Sequence, residues 1–306
     1  MKNLYTYFII ILVLIILIIF GIKHNSSSIR VDKRNFSIED TLFIDKVILE
    51  NRNLEKLKLT RNKSNWTLND TLIANQYLIN LLLKTIKEMQ VKNPIARAAL
   101  PNIISRMATQ NTKVDIFKKN KKIKTIYIAG ETPDQLGTYM MIEGAKEPYV
   151  VHIPGFNGYL SSRFSCKENI WRSKQIFNKK IQQSTITLNN NQSVNIDRKN
   201  LLKLNDIYCE SFLTNNHLFN IDEIKKRTPF IIIRIENSDG TIDQLNCIRK
   251  KPVNKEKYQN HKYDRERFYA YKNNTLMLVQ YQQFNYLMHS ESINNYFMPW
   301  LQQSLN

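Results

Sequence analysis

The most regular pattern along the chain is an uncharged apolar run at residues 5–22, where almost every position from Phe8 onward is Ile, Leu, Val or Phe. A helix over this run would be about 27 Å long, close to the ~30 Å hydrocarbon layer of a bilayer. The run ends at Lys23 without the small residues of a signal-peptidase site, so a retained anchor is favoured over a cleaved signal peptide. The pattern therefore predicts a transmembrane helix, with residues 1–24 as a cytoplasmic head and anchor.

After a polar linker predicted at residues 25–38, the pattern changes to short alternating stretches. Residues 42–49 are mostly apolar, and residues 54–60 alternate between apolar and polar side chains. With a turn at residues 51–53 between them, the two stretches predict a hairpin. Apolar residues at helical spacing predict helices at 72–89 and 95–107. Further strands are predicted at residues 113–117, 123–129, 138–142 and 149–153. Strands followed by helices and then strands again are typical of an α+β domain built on antiparallel hairpins.

The second half of the chain repeats this order. Residues 184–188 and 193–196 predict a hairpin, and polar helical stretches follow between residues 200 and 226. Residues 230–235 and 241–248 then predict another hairpin across a turn rich in Asn, Ser, Asp and Gly. The pattern predicts a second lobe that resembles the first.

A short echo in the sequence supports an internal duplication. Residues 150–157 align with residues 278–285, which pairs Phe156 with Phe284 at the end of each half. We therefore predict an N-terminal transmembrane helix followed by two similar lobes of antiparallel hairpins with packed helices. The first α+β lobe is predicted at residues 39–178 and the second at residues 179–306.

Charge adds a prediction about partners. The 306 residues carry a formal net charge of +19, which favours anionic surfaces such as lipid headgroups, acidic glycans or an acidic protein face. The basic residues are scattered through a chain rich in Lys, Asn and Ile, so biased composition alone remains an alternative explanation. No nucleic-acid-binding motif occurs, and nucleic acid is not expected as a partner.

The orientation in the membrane has two readings. Lys2 precedes the apolar run, whereas Lys23, Arg30, Lys33 and Arg34 follow it, and simple positive-inside counting would put the large domain in the cytoplasm. The charges after the run lie beyond a Ser-rich spacer, however, and a two-residue head is typical of a signal anchor. We therefore expect a single-pass protein of the bacterial inner membrane with its large domain in the periplasm.

One loop has the composition of a specific tight turn. In Ile153-Pro154-Gly155-Phe156, Pro fixes φ and Gly permits positive φ. The aromatic and basic residues around this turn are candidates for contact with a partner, although packing between the two lobes is the alternative. These candidate interaction residues are Phe156, Tyr159, Arg163, Phe164, Trp171 and Arg172.

The sequence offers little for catalysis or metal binding. His152 lies near Glu143 and Glu147, but no nucleophile motif, second nearby histidine or phosphate loop accompanies it. The loop at residues 130–135 carries two carboxylates, fewer ligands than a calcium loop needs. We therefore predict no catalytic residues, no cofactor and no metal.

Cysteine usage gives no framework of disulfides. The sequence contains 3 cysteines, Cys166, Cys209 and Cys247, which are far apart and lack metal-ligand spacing. Three buried free thiols are expected, with a Cys209–Cys247 bridge as the alternative in an oxidising compartment.

A longer stretch resembles a known family. Gly137-Thr138-Tyr139-Met140, the run Glu147-Pro148-Tyr149-Val150-Val151-His152-Ile153-Pro154-Gly155-Phe156 and Trp171-Arg172 are similar to the bacterial domain-of-unknown-function family 4340, in the version found in Bacteroidota-type bacteria. The resemblance covers most of the chain and is densest from Gly130 to Arg172. It implies an envelope protein that accompanies gliding-motility-type ABC transporters, and it implies no catalytic residues.

These observations predict a membrane-anchored, non-catalytic interaction or scaffold module of the cell envelope, accessory to such a transport system. Its expected partners are the membrane and other envelope proteins. Two alternatives remain: an envelope hydrolase centred on His152, and a binder of anionic glycan or lipid.

Overall fold

The computed structural model of the chain describes residues 11–15, 34–63, 65–188, 190–214, 220–252 and 262–287. The chain forms two compact units that divide between Ser173 and Lys174. The sequence prediction had put this division after residue 178. Each unit is an antiparallel sheet with a few helices, which confirms the predicted α+β class.

The described strands of the first unit form a nine-stranded sheet in the order β4-β3-β2-β1-β6-β7-β8-β9-β5. Alternating apolar residues direct one side of each central strand into a core, as in β1, where Val47 and Leu49 are buried. The strands are β1 (Lys46–Asn51), β2 (Lys56–Asn62), β3 (Asn65–Leu68), β4 (Leu72–Ile73), β5 (Gln90–Pro94), β6 (Thr112–Lys118), β7 (Lys121–Glu131), β8 (Thr138–Ile142) and β9 (Tyr149–His152).

Two helices cover opposite faces of this sheet. Helix α1 (Gln76–Glu88) begins where the Asn75 side chain accepts hydrogen bonds from the first free backbone N–H groups, and it buries one apolar stripe in the main core. Helix α2 (Leu100–Thr109), with Pro in its first turn, buries Met107 in a smaller cluster on the other face. Three short helices complete the unit: the 3-10 helices Thr41–Phe43 and Ser161–Phe164, and α3 (Glu168–Trp171).

The second unit is built in the same way. Its described strands form a seven-stranded sheet in the order β11-β10-β13-β14-β15-β16-β12. The strands are β10 (Ile181–Leu188), β11 (Ser193–Asn195), β12 (Ser211–Leu213), β13 (Ile231–Asn237), β14 (Ile242–Ile248), β15 (Arg267–Lys272) and β16 (Thr275–Gln280). The helices are α4 (Arg198–Leu201), α5 (Ile221–Lys225) and the 3-10 helices Leu202–Asp206 and Tyr281–Leu287.

The two units share one connectivity. Within the described residues, the order β2-β1-β6-β7-β8-β9-β5 of the first unit corresponds strand by strand to β11-β10-β13-β14-β15-β16-β12 of the second. In each unit one helical segment comes before the edge strand β5 or β12 and packs on the main core of that unit. A second helical segment follows the same strand and packs on the other face of the sheet. The predicted similarity of the lobes is therefore present in their topology.

The largest errors of the sequence prediction concern edge strands. The helix predicted at 72–89 starts later, after the short strand β4. Strand β5 lies between the two predicted helices, where no strand was predicted, and β12 lies within the stretch predicted as polar and helical. Each of these last two pairs with one neighbour, β5 with β9 and β12 with β16. An edge strand buries little surface, so the apolar alternation that marks a strand in the sequence is weak there.

The predicted anchor at residues 5–22 lies outside the described residues, except for residues 11–15, which are helical and exposed. No helix in the described part of the chain is long and apolar enough to cross a membrane. The predicted linker at 25–38 needs a correction at its C-terminal end. Phe36 is only 1% exposed, and the Ile38 N–H donates to the Ile86 carbonyl at 3.0 Å, so this stretch belongs to the first unit.

Candidate functional site

The predicted turn after β9 forms a defined loop, here called the aromatic loop, at residues 153–160. The Phe156 N–H donates to the Ile153 carbonyl at 3.0 Å, and Gly155 has a φ of +77°, the geometry of a type II turn with Pro and Gly at its central positions. Ile153 and Leu160 are buried at the two ends of the loop. The loop is therefore anchored on both sides while its middle lies at the surface.

Phe156 is held in place by a cation and by the loop backbone. The Arg163 guanidinium lies 4.4 Å from the centroid of the Phe156 ring, a distance typical of a cation–π contact. A Cβ added at Gly158 would lie 2.8 Å from the ring, so glycine is needed there for the ring to lie close to the backbone. Because 37% of Phe156 stays exposed, the ring is both fixed and accessible.

Arg163 connects the loop to the core of the first unit. Its NH1 group donates to the Thr85 hydroxyl at 2.9 Å, and Thr85 is fully buried on helix α1. Burial lowers the pKa of the Arg163 guanidinium, while Glu88 and Tyr77 act in the opposite direction. Arginine nevertheless stays protonated in proteins, so the contact with Phe156 keeps its cationic partner at any physiological pH.

Two tyrosines extend the exposed aromatic surface. Tyr159, in the same loop, is 36% exposed. Tyr77, in the first turn of α1, is 74% exposed and lies within electrostatic range of Arg163. The sequence prediction missed Tyr77 because it occupies a helical apolar stripe, and a single aromatic residue in such a stripe is usually read as core.

The remaining candidate interaction residues serve the fold. Phe164 and Trp171 are 1% and 2% exposed, and the Trp171 indole donates to the Ser165 carbonyl at 2.7 Å. Arg172 is half-buried and its backbone forms an isolated bridge with Ala74. The aromatic surface therefore consists of Phe156, Tyr159, Arg163 and Tyr77, whereas Phe164 and Trp171 belong to the core.

His152 is separated in the structure from Glu143 and Glu147, the two carboxylates that precede it in sequence. It ends β9, is half-buried and is paired across the sheet with Gln90. Glu147 accepts a hydrogen bond from the Tyr149 hydroxyl at 3.3 Å, and Glu143 pairs with Lys122 at 3.3 Å. These acidic groups are thus engaged near the start of the strand rather than beside the imidazole.

The loop at residues 130–135 is a closed turn. The Asp134 carboxylate accepts hydrogen bonds from the Thr132 hydroxyl and the Leu136 N–H, and these bonds lower the pKa of Asp134. Among the described residues, no group of three or more His, Cys, Asp or Glu side chains is arranged to hold a metal ion.

The three cysteines are free thiols, half-buried at Cys166 and buried at Cys209 and Cys247. The expected free state is therefore present and the alternative Cys209–Cys247 bridge is not formed, but the expected burial of all three thiols is wrong for Cys166. Burial raises the pKa of Cys247, so this thiol stays protonated and behaves as a core side chain.

Comparisons with known proteins found no matching protein-family model, no matching curated protein and no matching solved structure.

Proposed function

We propose that this chain is a membrane-anchored, non-catalytic interaction module of the bacterial cell envelope that presents the aromatic loop to a protein partner. The observation that carries the proposal is the pair of Phe156 and Arg163. An exposed aromatic ring is fixed on a guanidinium, and this guanidinium is itself hydrogen-bonded to a fully buried hydroxyl.

The composition of this surface fits protein recognition. Aromatic residues and arginine are enriched at protein interfaces and account for much of the binding energy in many complexes. A ring that is already fixed loses little conformational freedom on binding, so more of the contact energy appears as affinity. The type II turn and the buried ends of the loop supply this fixation.

The envelope location is part of the proposal and comes from the sequence. The apolar run at residues 5–22 has the length and composition of a single membrane anchor. We place the large domain in the periplasm. The resemblance to the bacterial domain-of-unknown-function family 4340 implies an accessory role beside a gliding-motility-type ABC transport system, and we propose a component of that system as the partner.

The hydrolase alternative gains no support from the surroundings of His152. A catalytic imidazole needs an orienting group and a reacting group within hydrogen-bond reach. The nearby carboxylates Glu143 and Glu147 are instead bonded to Lys122 and Tyr149.

The recognition role is tested by site-specific photo-crosslinking in the native membrane. A photo-reactive residue replaces Tyr159 in the full chain, with and without Phe156→Ala. We expect one discrete membrane-protein adduct, a transport component by mass spectrometry, that falls at least ten-fold with Phe156→Ala. The free energy of unfolding should fall by only about 1 kcal/mol, because the ring is partly exposed.

Leu202, on the second unit, is 75% exposed and provides the matched control position. The same adduct from Leu202, or an adduct at Tyr159 that persists in the Phe156→Ala chain, would show that the aromatic loop is not the recognition surface. A chain that crosslinks to nothing at Tyr159 in its native membrane would contradict the proposal as well.

The location is tested separately. A reporter that is active only outside the cytoplasm, fused after Asn306, should be active, and the chain should stay in the membrane after an alkaline wash. Activity of a cytoplasm-only reporter would reverse the orientation, and release by the wash would remove the anchor from the proposal.

A further inference from the structure

A lysine-rich surface lies at one end of the first sheet. The hairpin between β6 and β7 turns through Lys119 and Asn120, which both have positive φ, so it is a two-residue turn of type I′. Lys118, Lys119, Lys121 and Lys122 are all exposed on this hairpin. We call the surface formed by residues 118–122 and the 3-10 helix Thr41–Phe43 the basic tip.

The two parts of the basic tip are bonded into one structure. The Asn120 N–H donates to the Asp45 carboxylate at 3.0 Å, and the Asp45 N–H donates to the Phe117 carbonyl at 3.1 Å. The Lys118 ammonium lies 4.4 Å from the centroid of the Phe43 ring. Lys118 therefore lies directly beside the 3-10 helix, and the other lysines of the basic tip follow it on the same hairpin.

Apolar side chains are exposed among these lysines. Leu42 is 79% exposed, Phe43 is 53% exposed, and Ile123, which comes after the hairpin turn, is 42% exposed. The ion pairs found between described residues include none with Lys118, Lys119 or Lys121. The acidic groups that contact the basic tip include Asp115 and Glu143, which pair with Lys122. Asp40 accepts a hydrogen bond from the Leu42 N–H, and Asp45 accepts one from the hairpin.

The basic tip also lies near the point where the described chain resumes after the apolar segment. The described chain resumes at Arg34, whose guanidinium donates to the Tyr149 hydroxyl at 3.0 Å, at the start of β9. The Lys124 ammonium on β7 donates to the Asn35 carbonyl at 2.8 Å. β9 runs in the same direction as β7 but beside its C-terminal half, because Tyr149 pairs with Met140 and Met140 pairs with Ile128. The aromatic loop follows the end of β9, so it lies at the end of the sheet opposite the hairpin turn.

We propose that the basic tip docks on the anionic phospholipid headgroups of the membrane that holds the chain, with Leu42 and Phe43 inserted at the interface. The inference rests on the proposed membrane anchoring. Lysines near an anionic bilayer attract its surface charge, and apolar side chains beside them add burial at the headgroup boundary. Docking would hold the aromatic loop away from the membrane, because β7 alone is about 35 Å long.

The experiment uses the full chain in nanodiscs of phosphatidylcholine, with or without phosphatidylglycerol, and measures hydrogen exchange by mass spectrometry. With phosphatidylglycerol, we expect several-fold slower exchange at residues 41–43 and 118–123 and unchanged exchange in the aromatic loop. Added salt should reverse the protection, because the attraction between exposed charges is screened.

Lys118→Gln, Lys119→Gln and Lys121→Gln together should weaken docking by about five-fold for each lysine. A matched control removes the same charge from other exposed positions of the first unit, through Lys84→Gln, Lys87→Gln and Lys167→Gln, and should keep the protection. These substitutions are all at the surface, so exchange in the sheet reports whether each variant is folded.

The outcomes separate the two proposals. A chain that stays in phosphatidylcholine nanodiscs but shows no lipid-dependent protection keeps the anchor and overturns the docking. A chain that does not stay in those nanodiscs overturns the anchor, and the docking with it. Stronger protection of the tip by a soluble anionic polysaccharide than by phosphatidylglycerol would assign the surface to a glycan instead.

Discussion

The two units share their strand order but differ in the segment after the last long strand. In the first unit, β9 leads into the aromatic loop, where Phe156 and Tyr159 are exposed. In the second unit, β16 leads directly into the 3-10 helix Tyr281–Leu287, where Tyr281 and Phe284 are buried. The same strand order therefore carries buried aromatic side chains at this point in the second unit and exposed ones in the first, and for this reason the proposed recognition surface lies in the first unit.

In both units an arginine guanidinium lies over an aromatic ring, but the ring is buried in the second unit and partly exposed in the first. In the second unit the Arg249 guanidinium lies 3.8 Å from the Phe230 centroid and donates to the Tyr281 hydroxyl at 2.8 Å. This site is closed by Phe268, whose ring centroid is 4.8 Å from that of Tyr281, and burial raises the pKa of Tyr281 to about 12. The contact between Arg163 and Phe156 is more open to solvent, since more than a third of Phe156 is exposed.

The comparison predicts its largest effect at Phe284. Phe284→Ala should lower the free energy of unfolding of the second unit by about 4 kcal/mol, because it removes a fully buried ring from the core. Phe164→Ala should cost the first unit a similar amount, since Phe164 is equally buried in the 3-10 helix Ser161–Phe164. Urea unfolding followed by hydrogen exchange in each unit measures both values.

Phe156→Ala serves as the control for this pair, with an expected cost of about 1 kcal/mol. If Phe156→Ala destabilised the chain as much as Phe284→Ala, the two phenylalanines would be structural equivalents. The proposed difference between the units would then be lost.

A smaller loss in the free energy of unfolding is expected when a buried ion pair of the second unit is broken. In the second unit, the side chains of Lys250 and Asp264 are 10% and 8% exposed and form an ion pair at 2.7 Å. In the first unit, Lys122 and Glu143 form a pair that is largely exposed, at 42% and 50%. Lys250→Met should cost the second unit roughly 3 kcal/mol, because it leaves the Asp264 carboxylate buried without its cation.

The ion pair between Lys250 and Asp264 also predicts how the stability of the second unit depends on pH in acid. Burial opposes the charge of Asp264, but the hydrogen bonds from Lys250 and from the backbone of Glu266 and Arg267 hold the pKa of this carboxyl below its usual value. A depressed pKa contributes stability above about pH 4 and loses it as the pH falls through the folded-state pKa. In an acid titration followed by hydrogen exchange, Asp264→Asn should therefore flatten the pH dependence of the second unit below about pH 4. Unchanged pH dependence in that variant would assign the acid response to other groups.

The sequence predicted the hairpins well because their central strands alternate between a buried and a solvated face. The echo between residues 150–157 and 278–285 correctly aligned β9 with β16, but it placed Phe156 opposite Phe284. Past the strands the chains diverge, and Phe164 occupies the buried position in the following 3-10 helix. An ungapped sequence match contains no sign that the first unit inserts a surface loop at this point.

The candidate site was predictable in its backbone and less so in its side chains. Pro154 and Gly155 dictate the turn, since few other residue pairs favour its dihedral angles. Which aromatic residues stay exposed depends on the long-range contacts of Thr85 and Thr138 with the loop and its flank, and these have no local signal. The basic tip also went unnoticed as a surface, because the 3-10 helix that adds Leu42 and Phe43 is far from the lysines in sequence.

The smallest effect is predicted at His152, and it tests how far the likeness between the units extends. Gln280 ends β16 as His152 ends β9, and its amide donates to the Glu210 carboxylate at 3.0 Å. An amide is therefore accepted at the corresponding end of the second sheet. His152→Gln should change the free energy of unfolding by about 0.5 kcal/mol or less and leave the crosslink from Tyr159 intact.

Urea unfolding, crosslinking and complementation of a deletion strain measure these expectations together. A His152→Gln chain with normal stability and a normal crosslink, but no complementation, would point to chemistry at the imidazole and restore the hydrolase alternative. The geometry argues for the opposite result. Proton transfer by His152 would need a partner within hydrogen-bond reach, and within the described part of the chain Glu143 and Glu147 are bonded to Lys122 and Tyr149 instead.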